Sequence, residues 1–254
     1  MTLAENIPSK AGRLSGRRIL MTGAASGIGQ ATARTFASAG ASLALLDRDD
    51  AGLRRMEREL SAVGVVVDLV DENAIRTSVA RAAEALGGLD GVVNVAGISM
   101  VEHPLNVLTL NDWNRALTVN LTAPFLICRE AAPHLKKAGG GTIVNVASAS
   151  GLMPLAPGMG AYCASKGGLI SFSKAIALEL APEIRVNAVC PGATDTPMLV
   201  GPMRSFTSAP TAPYALKRVA KPEEIADAIL FLTSVESSFM TGIALPIDGG
   251  RSYH

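Results

Sequence analysis

The chain has 254 residues, with 23 Lys and Arg against 22 Asp and Glu, a net charge of +1. Acids and bases are interspersed, so no basic patch points to nucleic acid or to an anionic membrane surface. No apolar run approaches the roughly 20 residues of a transmembrane helix, and the opening stretch, which includes Glu5, does not resemble a secretory signal.

The thiols and imidazoles exclude more. Cys128, Cys163 and Cys190 fall in expected helices or strands rather than at a disulfide spacing, which predicts reduced thiols and a cytoplasmic location. Cys163 reads as a small packing residue. His103, His134 and His254 are far apart and lack companions at ligand spacing, so no metal is expected. Ser148 is not in a G-x-S-x-G elbow, so a serine hydrolase is not indicated.

Residues 1–13 carry no pattern and are expected to form a flexible tail. From residue 14 to 254 no linker interrupts the chain, which predicts a single domain. Short Val/Ile/Leu runs near 18–22, 42–46, 64–68, 91–95, 142–147, 184–190 and 243–247 alternate with helical stretches beginning near Gly27, Asp50, Asn73, Leu110, Tyr162 and Pro222. That rhythm predicts a doubly wound parallel sheet of about seven strands with helices on both faces. Residues 197–213, rich in Pro, Ser and Met, read as a substrate lid, and Met198, Leu199, Met203 and Phe206 favour a partly apolar substrate.

In chain order, the first chemical signal is Thr22-Gly23-Ala24-Ala25-Ser26-Gly27-Ile28-Gly29, between the first strand and the first helix. Glycines permit a tight turn and close backbone approach, and the helix start offers free N–H groups to a pyrophosphate. The second strand ends in Asp47, eighteen residues past Gly29, near the spacing of a carboxylate that holds an adenosine ribose. Ser148 precedes Tyr162 by fourteen residues, and Lys166 follows it by four. A tyrosine and a lysine four apart share a helix face. A phenol of ordinary pKa near 10 is a poor acid/base at neutrality, and a nearby ammonium would favour the phenolate.

These motifs, with Val67-Asp68-Leu69, Asn94-Val95-Ala96-Gly97, Asn120 in Thr118–Leu121, Pro191-Gly192-Ala193-Thr194-Asp195-Thr196 and Asp248-Gly249-Gly250, resemble the short-chain dehydrogenase/reductase family from about Leu14 to Gly250. The resemblance implies a Rossmann-type fold and a nicotinamide dinucleotide held by Gly23, Ser26, Gly27, Ile28, Gly29, Asp47, Asp68, Leu69, Asn94, Ala96, Gly97, Tyr162, Lys166, Pro191, Gly192, Thr194 and Thr196. It also implies Tyr162 as acid/base, Ser148 on the substrate oxygen, Lys166 on the phenolate and the nicotinamide ribose, and Asn120 positioning a relay water. Ser150 would make a backbone or pocket contact.

Asp47 favours NAD over NADP, although Arg48 beside it could meet a 2′-phosphate. The implied reaction interconverts a secondary alcohol and a ketone on a small or medium molecule. The alternative is an NADPH-dependent 3-oxoacyl-[acyl-carrier-protein] reductase; Gly139–Gly141 and Pro182-Glu183 lack the basic residues such reductases tend to carry. A non-catalytic sensor would have no need of Asn120, Ser148, Tyr162 and Lys166 together. Apolar helical surface between Leu110 and Lys137, and at Leu169, Phe172, Ile176 and Leu180, with the family resemblance, predicts a homotetramer.

Overall fold

A computed structural model describes residues 10–99, 103–199 and 214–252. Seven strands, β1 (Arg18–Thr22), β2 (Ser42–Asp47), β3 (Val63–Val66), β4 (Gly91–Asn94), β5 (Gly141–Val146), β6 (Ile184–Pro191) and β7 (Ala244–Ile247), form one sheet in the order β3-β2-β1-β4-β5-β6-β7. Every pairing is parallel. The helices are α1 (Gly27–Ser38), α2 (Asp50–Leu60), α3 (Glu72–Leu86), α4 (Leu110–Leu117), α5 (Ala123–Lys137), α6 (Gly160–Leu180) and α7 (Pro222–Thr233). The Rossmann-type sheet expected from the sequence is therefore present, with strand order reversing between β1 and β4. In such sheets ligands bind beyond the strand carboxyl ends at this reversal.

Strands covered on both faces need apolar side chains in both directions, and period-two alternation sorts them into two cores. Leu20, Ala44 and Leu46 point to one face, where Ile75 and Val79 of α3 and Ile127 and Leu135 of α5 meet them. Ile19, Met21, Leu43 and Leu45 point to the other, against Phe36 of α1, Met56 of α2 and Ile225 and Ile229 of α7.

Local chemistry sets the helix boundaries. Asp49, Asp71 and Thr109 accept the free N–H of Gly52, Ala74 and Asp112, starting α2, α3 and α4. Pro222 opens α7, and the Glu224 carboxylate turns back to accept the Lys221 N–H at 2.7 Å. Gly87, with φ of 70°, ends α3 in the left-handed conformation that favours glycine.

Two details refine the sequence reading. Thr118–Thr122 between α4 and α5 is a π-turn, in which the Ala123 N–H bonds Thr118. Of the expected tail, residues 1–9 lie outside the described residues; 10–13 form turns whose Lys10 and Arg13 pair with Asp227 and Glu236, and Leu14 beside them is fully buried. Of the expected lid, 200–213, with Met203 and Phe206, lie outside the described residues.

Candidate active site

A cleft of about 490 Å³ opens along the carboxyl ends of the strands. At its β1 end the glycine turn is packed too tightly for side chains. A β-carbon on Gly29 would stand 1.9 Å from the Gly23 carbonyl oxygen, and one on Gly23 would stand 2.7 Å from the Ala96 backbone. Ser26, extended and without a side-chain cap bond, leaves the first N–H groups of α1 facing the cleft. A bare backbone cradle at a helix start suits the pyrophosphate of a dinucleotide.

Asp47 ends β2 at the cleft wall. Its carboxylate accepts the Ala25 N–H at 2.9 Å and the Asp49 N–H at 3.0 Å, so it braces the glycine turn as well as facing the ligand space. The exposed Arg48, Asp68 and the partly buried Leu69 continue that wall.

β5 and α6 supply the catalytic end. β5 runs out at Val146, and Ser148 caps the short helical turn that follows, its hydroxyl accepting the Ser150 N–H at 3.1 Å. Ser148 and Tyr162 both line the cleft, and the Ser148 hydroxyl draws the Tyr162 phenol down in pKa. Lys166, one turn along α6 and only 4 % exposed, donates to the Val146 carbonyl at 2.9 Å. Burial lowers the Lys166 ammonium to about 8.

In the protein alone, burial pushes the Tyr162 phenol up, and the Ser148 hydroxyl offsets only part of it. The ammonium is turned to a backbone carbonyl, and desolvation disfavours the phenolate more than one hydroxyl favours it.

Asn120 lies in the π-turn, fully buried and away from the cleft lining. Its carbonyl accepts the Ile98 N–H at 2.8 Å, and its amide donates at 3.1 Å to Ile98 O and to Ser165 Oγ. The side chain thus fastens the loop after β4 to α6, beside Gly97. Asn94, expected at the cofactor, also stands off the cleft. Its amide donates to Asn145 Oδ1 at 2.8 Å and to the Cys128 thiol, within a buried network that reaches Ser173. It ties β4 to β5, because its position in the alternation points it into the core; Ala96 and Gly97 beyond it do line the cleft.

Past β6, Pro191, Gly192, Thr194 and Thr196 close one side. The Thr196 methyl lies where a Gly27 β-carbon would approach within 3.1 Å, so this loop crosses to the glycine turn. The Ala193 N–H donates to the Tyr214 hydroxyl at 3.1 Å. Sequence reasoning missed Tyr214, Arg251, Arg115, Val119, Ile98 and Met159, all of which line the cleft. Only Arg251, a cation directly after the Asp248-Gly249-Gly250 segment, carried a usable signal. Among the described residues no group of three or more His, Cys, Asp or Glu could hold a metal, and no helix is long and apolar enough to cross a membrane.

A parallel sheet with a backbone cradle for a dinucleotide and a serine–tyrosine–lysine group at the same cleft defines an oxidoreductase of alcohols and carbonyls. The comparisons agree. A family model described as enoyl-(acyl carrier protein) reductase matches residues 23–252. The chain is 37% identical over 250 residues, 95% of its length and 98% of the relative's, to 2,5-dichloro-2,5-cyclohexadiene-1,4-diol dehydrogenase of Sphingobium indicum. It is 38% identical over 239 residues, 92% of its length and 96% of the relative's, to cis-4-hydroxycyclohexanecarboxylate dehydrogenase of Sinomonas cyclohexanicum. A crystal structure of 3-ketoacyl-(acyl-carrier-protein) reductase from Brucella melitensis complexed with NADH superposes with a TM-score of 0.89 at 37% identity, covering 94% of this chain and all of that one. The chain belongs to the short-chain dehydrogenase/reductase family, and it is an enzyme that acts on the CH–OH group with a nicotinamide dinucleotide.

Proposed function

We propose that this enzyme interconverts a secondary alcohol and a ketone on a small or medium, partly apolar molecule, with NAD as its dinucleotide. The observation that carries the reading is the meeting of Ser148, Tyr162 and Lys166 at one end of a cleft whose other end is the glycine cradle. The residues fit the dinucleotide: Gly23, Ser26, Gly27, Ile28 and Gly29 would face the pyrophosphate, Asp47 the adenosine ribose, and Asp68 and Leu69 the adenine. Ala96, Gly97, Pro191, Gly192, Thr194 and Thr196 would flank the nicotinamide half. When bound, the nicotinamide supplies the hydride acceptor or donor.

The chain's own groups handle the proton and the orientation. Ser148 holds the substrate oxygen beside the phenol. In reduction the neutral Tyr162 phenol donates its proton to that oxygen, and burial suits it to wait in this form. In oxidation Tyr162 must first lose its proton, and Lys166, turning from Val146 towards the phenol and the ribose, supplies the stabilising charge. Both side-chain ends of Asn120 are engaged, so a relay water there would bond its main chain rather than its amide.

Asp47 carries the preference for NAD, since a carboxylate there accepts ribose hydroxyls and repels a 2′-phosphate. Relatives that oxidise ring alcohols support a secondary alcohol as substrate. The acyl-carrier reductase reading keeps two supports, the similar Brucella reductase complexed with NADH and a 38% identical 3-oxoacyl-[acyl-carrier-protein] reductase of Thermotoga maritima. The three free thiols suit a reducing compartment such as the cytoplasm.

Tyr162→Phe tests the reading directly. Turnover of a panel of secondary alcohols, diols and 3-hydroxyacyl thioesters with NAD and NADP should fall at least about a hundredfold, with dinucleotide binding kept. Near-full activity in that variant would remove Tyr162 from the chemistry.

A further inference from the structure

Arg251 stands four residues beyond the end of β7, at the end of the sheet away from Asp47 and Asp68. It is 6 % exposed and yet lines the cleft. A guanidinium carries five N–H donors in a planar fork. Among the described residues, its side chain donates to the Met153 carbonyl and pairs with no carboxylate. The nearest acid in sequence is already engaged: Asp248 accepts the N–H groups of Gly250, Arg251 and Ser252 and the Ser252 hydroxyl. Burial pushes the Cys163 thiol up, and the Arg251 charge draws it part of the way back.

A buried cation without a counter-charge is costly, and it is tolerated where a ligand completes it. Resting on the dehydrogenase reading above, we propose that the substrate carries a carboxylate, and that Arg251 holds it by charge-assisted hydrogen bonds while Ser148 and Tyr162 hold the carbinol. Leu155, Met159 and Leu199, all lining the cleft, cover the carbon frame between the two groups. Lys166 on the same wall is committed to the phenol and ribose, and the other two arginines there, Arg48 and Arg115, are exposed; Arg48 follows β2 and Arg115 lies on α4, so neither duplicates Arg251.

The test pairs 3- and 4-hydroxycyclohexanecarboxylate with the matching carboxamides, which keep the shape and lose the charge. Wild-type kcat/KM should favour the acids by about ten- to a hundredfold, the range for a hydrogen bond to a charged group, and the difference should sit in KM. Arg251→Met should lose at least about tenfold more on the acids than on the amides, and Arg251→Lys should keep part of the preference. Equal use of acid and amide by the wild type, or a preference that survives in Arg251→Met, overturns the proposal and leaves the dehydrogenase reading standing. Turnover of neither pair, nor of any other secondary alcohol, would sink that reading instead. Calorimetric titration of cyclohexanecarboxylate against cyclohexanecarboxamide then decides the anion site alone: it must bind the acid in the wild type and lose it in Arg251→Met. A variant that melts lower but keeps the acid preference would show Arg251 to be only a strut for Met153.

Discussion

Replacing Lys166 by methionine should stabilise the cofactor-free enzyme while abolishing its turnover. The ammonium is 4 % exposed, has one carbonyl as its hydrogen-bond partner, and is lowered by burial from 10.5 to about 8. At 1.36 kcal/mol per pKa unit, folding disfavours the charged form by about 3 kcal/mol. Methionine fills similar space without charge, but strands the Val146 carbonyl, a loss of about 1–2 kcal/mol. The net gain at pH 7 is therefore about 1–2 kcal/mol.

Its pH dependence fixes the cause. The folded pKa lies below the unfolded one, so the unfolded chain holds more protons between about pH 8 and 10.5, and the lysine enzyme gains stability as pH rises through that window. The advantage of Lys166→Met should be constant below about pH 7 and should shrink steadily above pH 8. Urea unfolding followed by fluorescence of the single tryptophan, Trp113, at pH 6.5, 8 and 9.5 and one protein concentration, measures it. A variant less stable than wild type at pH 6.5, or a difference that stays flat to pH 9.5, would refute the argument.

Asp47→Ala should narrow the kcat/KM ratio of NAD to NADP, since it removes the carboxylate that a 2′-phosphate would meet; a clear NADP preference in the wild type would show that Arg48 outweighs the acid. Gly29→Ala forces a β-carbon into the Gly23 carbonyl, and should lower stability by about 1–3 kcal/mol while weakening dinucleotide binding in a fluorescence titration; an unperturbed variant would mean that the turn yields freely. Cys128 and Cys190, pushed up to about 12 by burial, should resist alkylation at pH 8 in the folded protein. Light scattering at micromolar concentration should give four times the chain mass: Phe125 on α5, 40 % exposed, meets Phe172 of α6 edge-on at 6.0 Å, and Leu178 is 86 % exposed. A stable, active monomer would show that this apolar surface needs no partner.

Short-range spacing made much of this legible in advance. The glycine turn, the acid ending β2 and the Ser148–Tyr162–Lys166 group depend on residues close in sequence, each tied to a strand end or a helix turn that its own apolar pattern predicts. What stayed hidden depends on distant partners. Tyr214 matters through Ala193, 21 residues away, and Arg251 through Met153, 98 away. Asn94 is part of a motif, yet its side chain serves the core, because its partners Asn145 and Cys128 are set by sheet order and helix packing rather than local pattern. The Lys166–Val146 bond likewise needs α6 packed across β5.

The site's placement follows from the same geometry that makes it expensive to fold. All seven strands run one way, so every carboxyl end opens on one edge, and the loops there can be irregular without disturbing either core. The β1–β4 reversal parts two such loops and leaves a space that backbone alone can line, at Gly23 and Gly97. On one side of it stand Asp47 and Asp68; on the other stand the buried Ser148, Lys166 and Arg251 and the half-buried Tyr162. The sheet cores supply the stability that keeps these groups in place. A desolvated phenol, an ammonium lowered to about 8 and a guanidinium that meets no carboxylate among the described residues are poor contributors to folding, and each becomes useful once a ligand brings the charge or hydroxyl that it lacks. That asymmetry is why substitutions at Lys166 should help the fold and harm the reaction together.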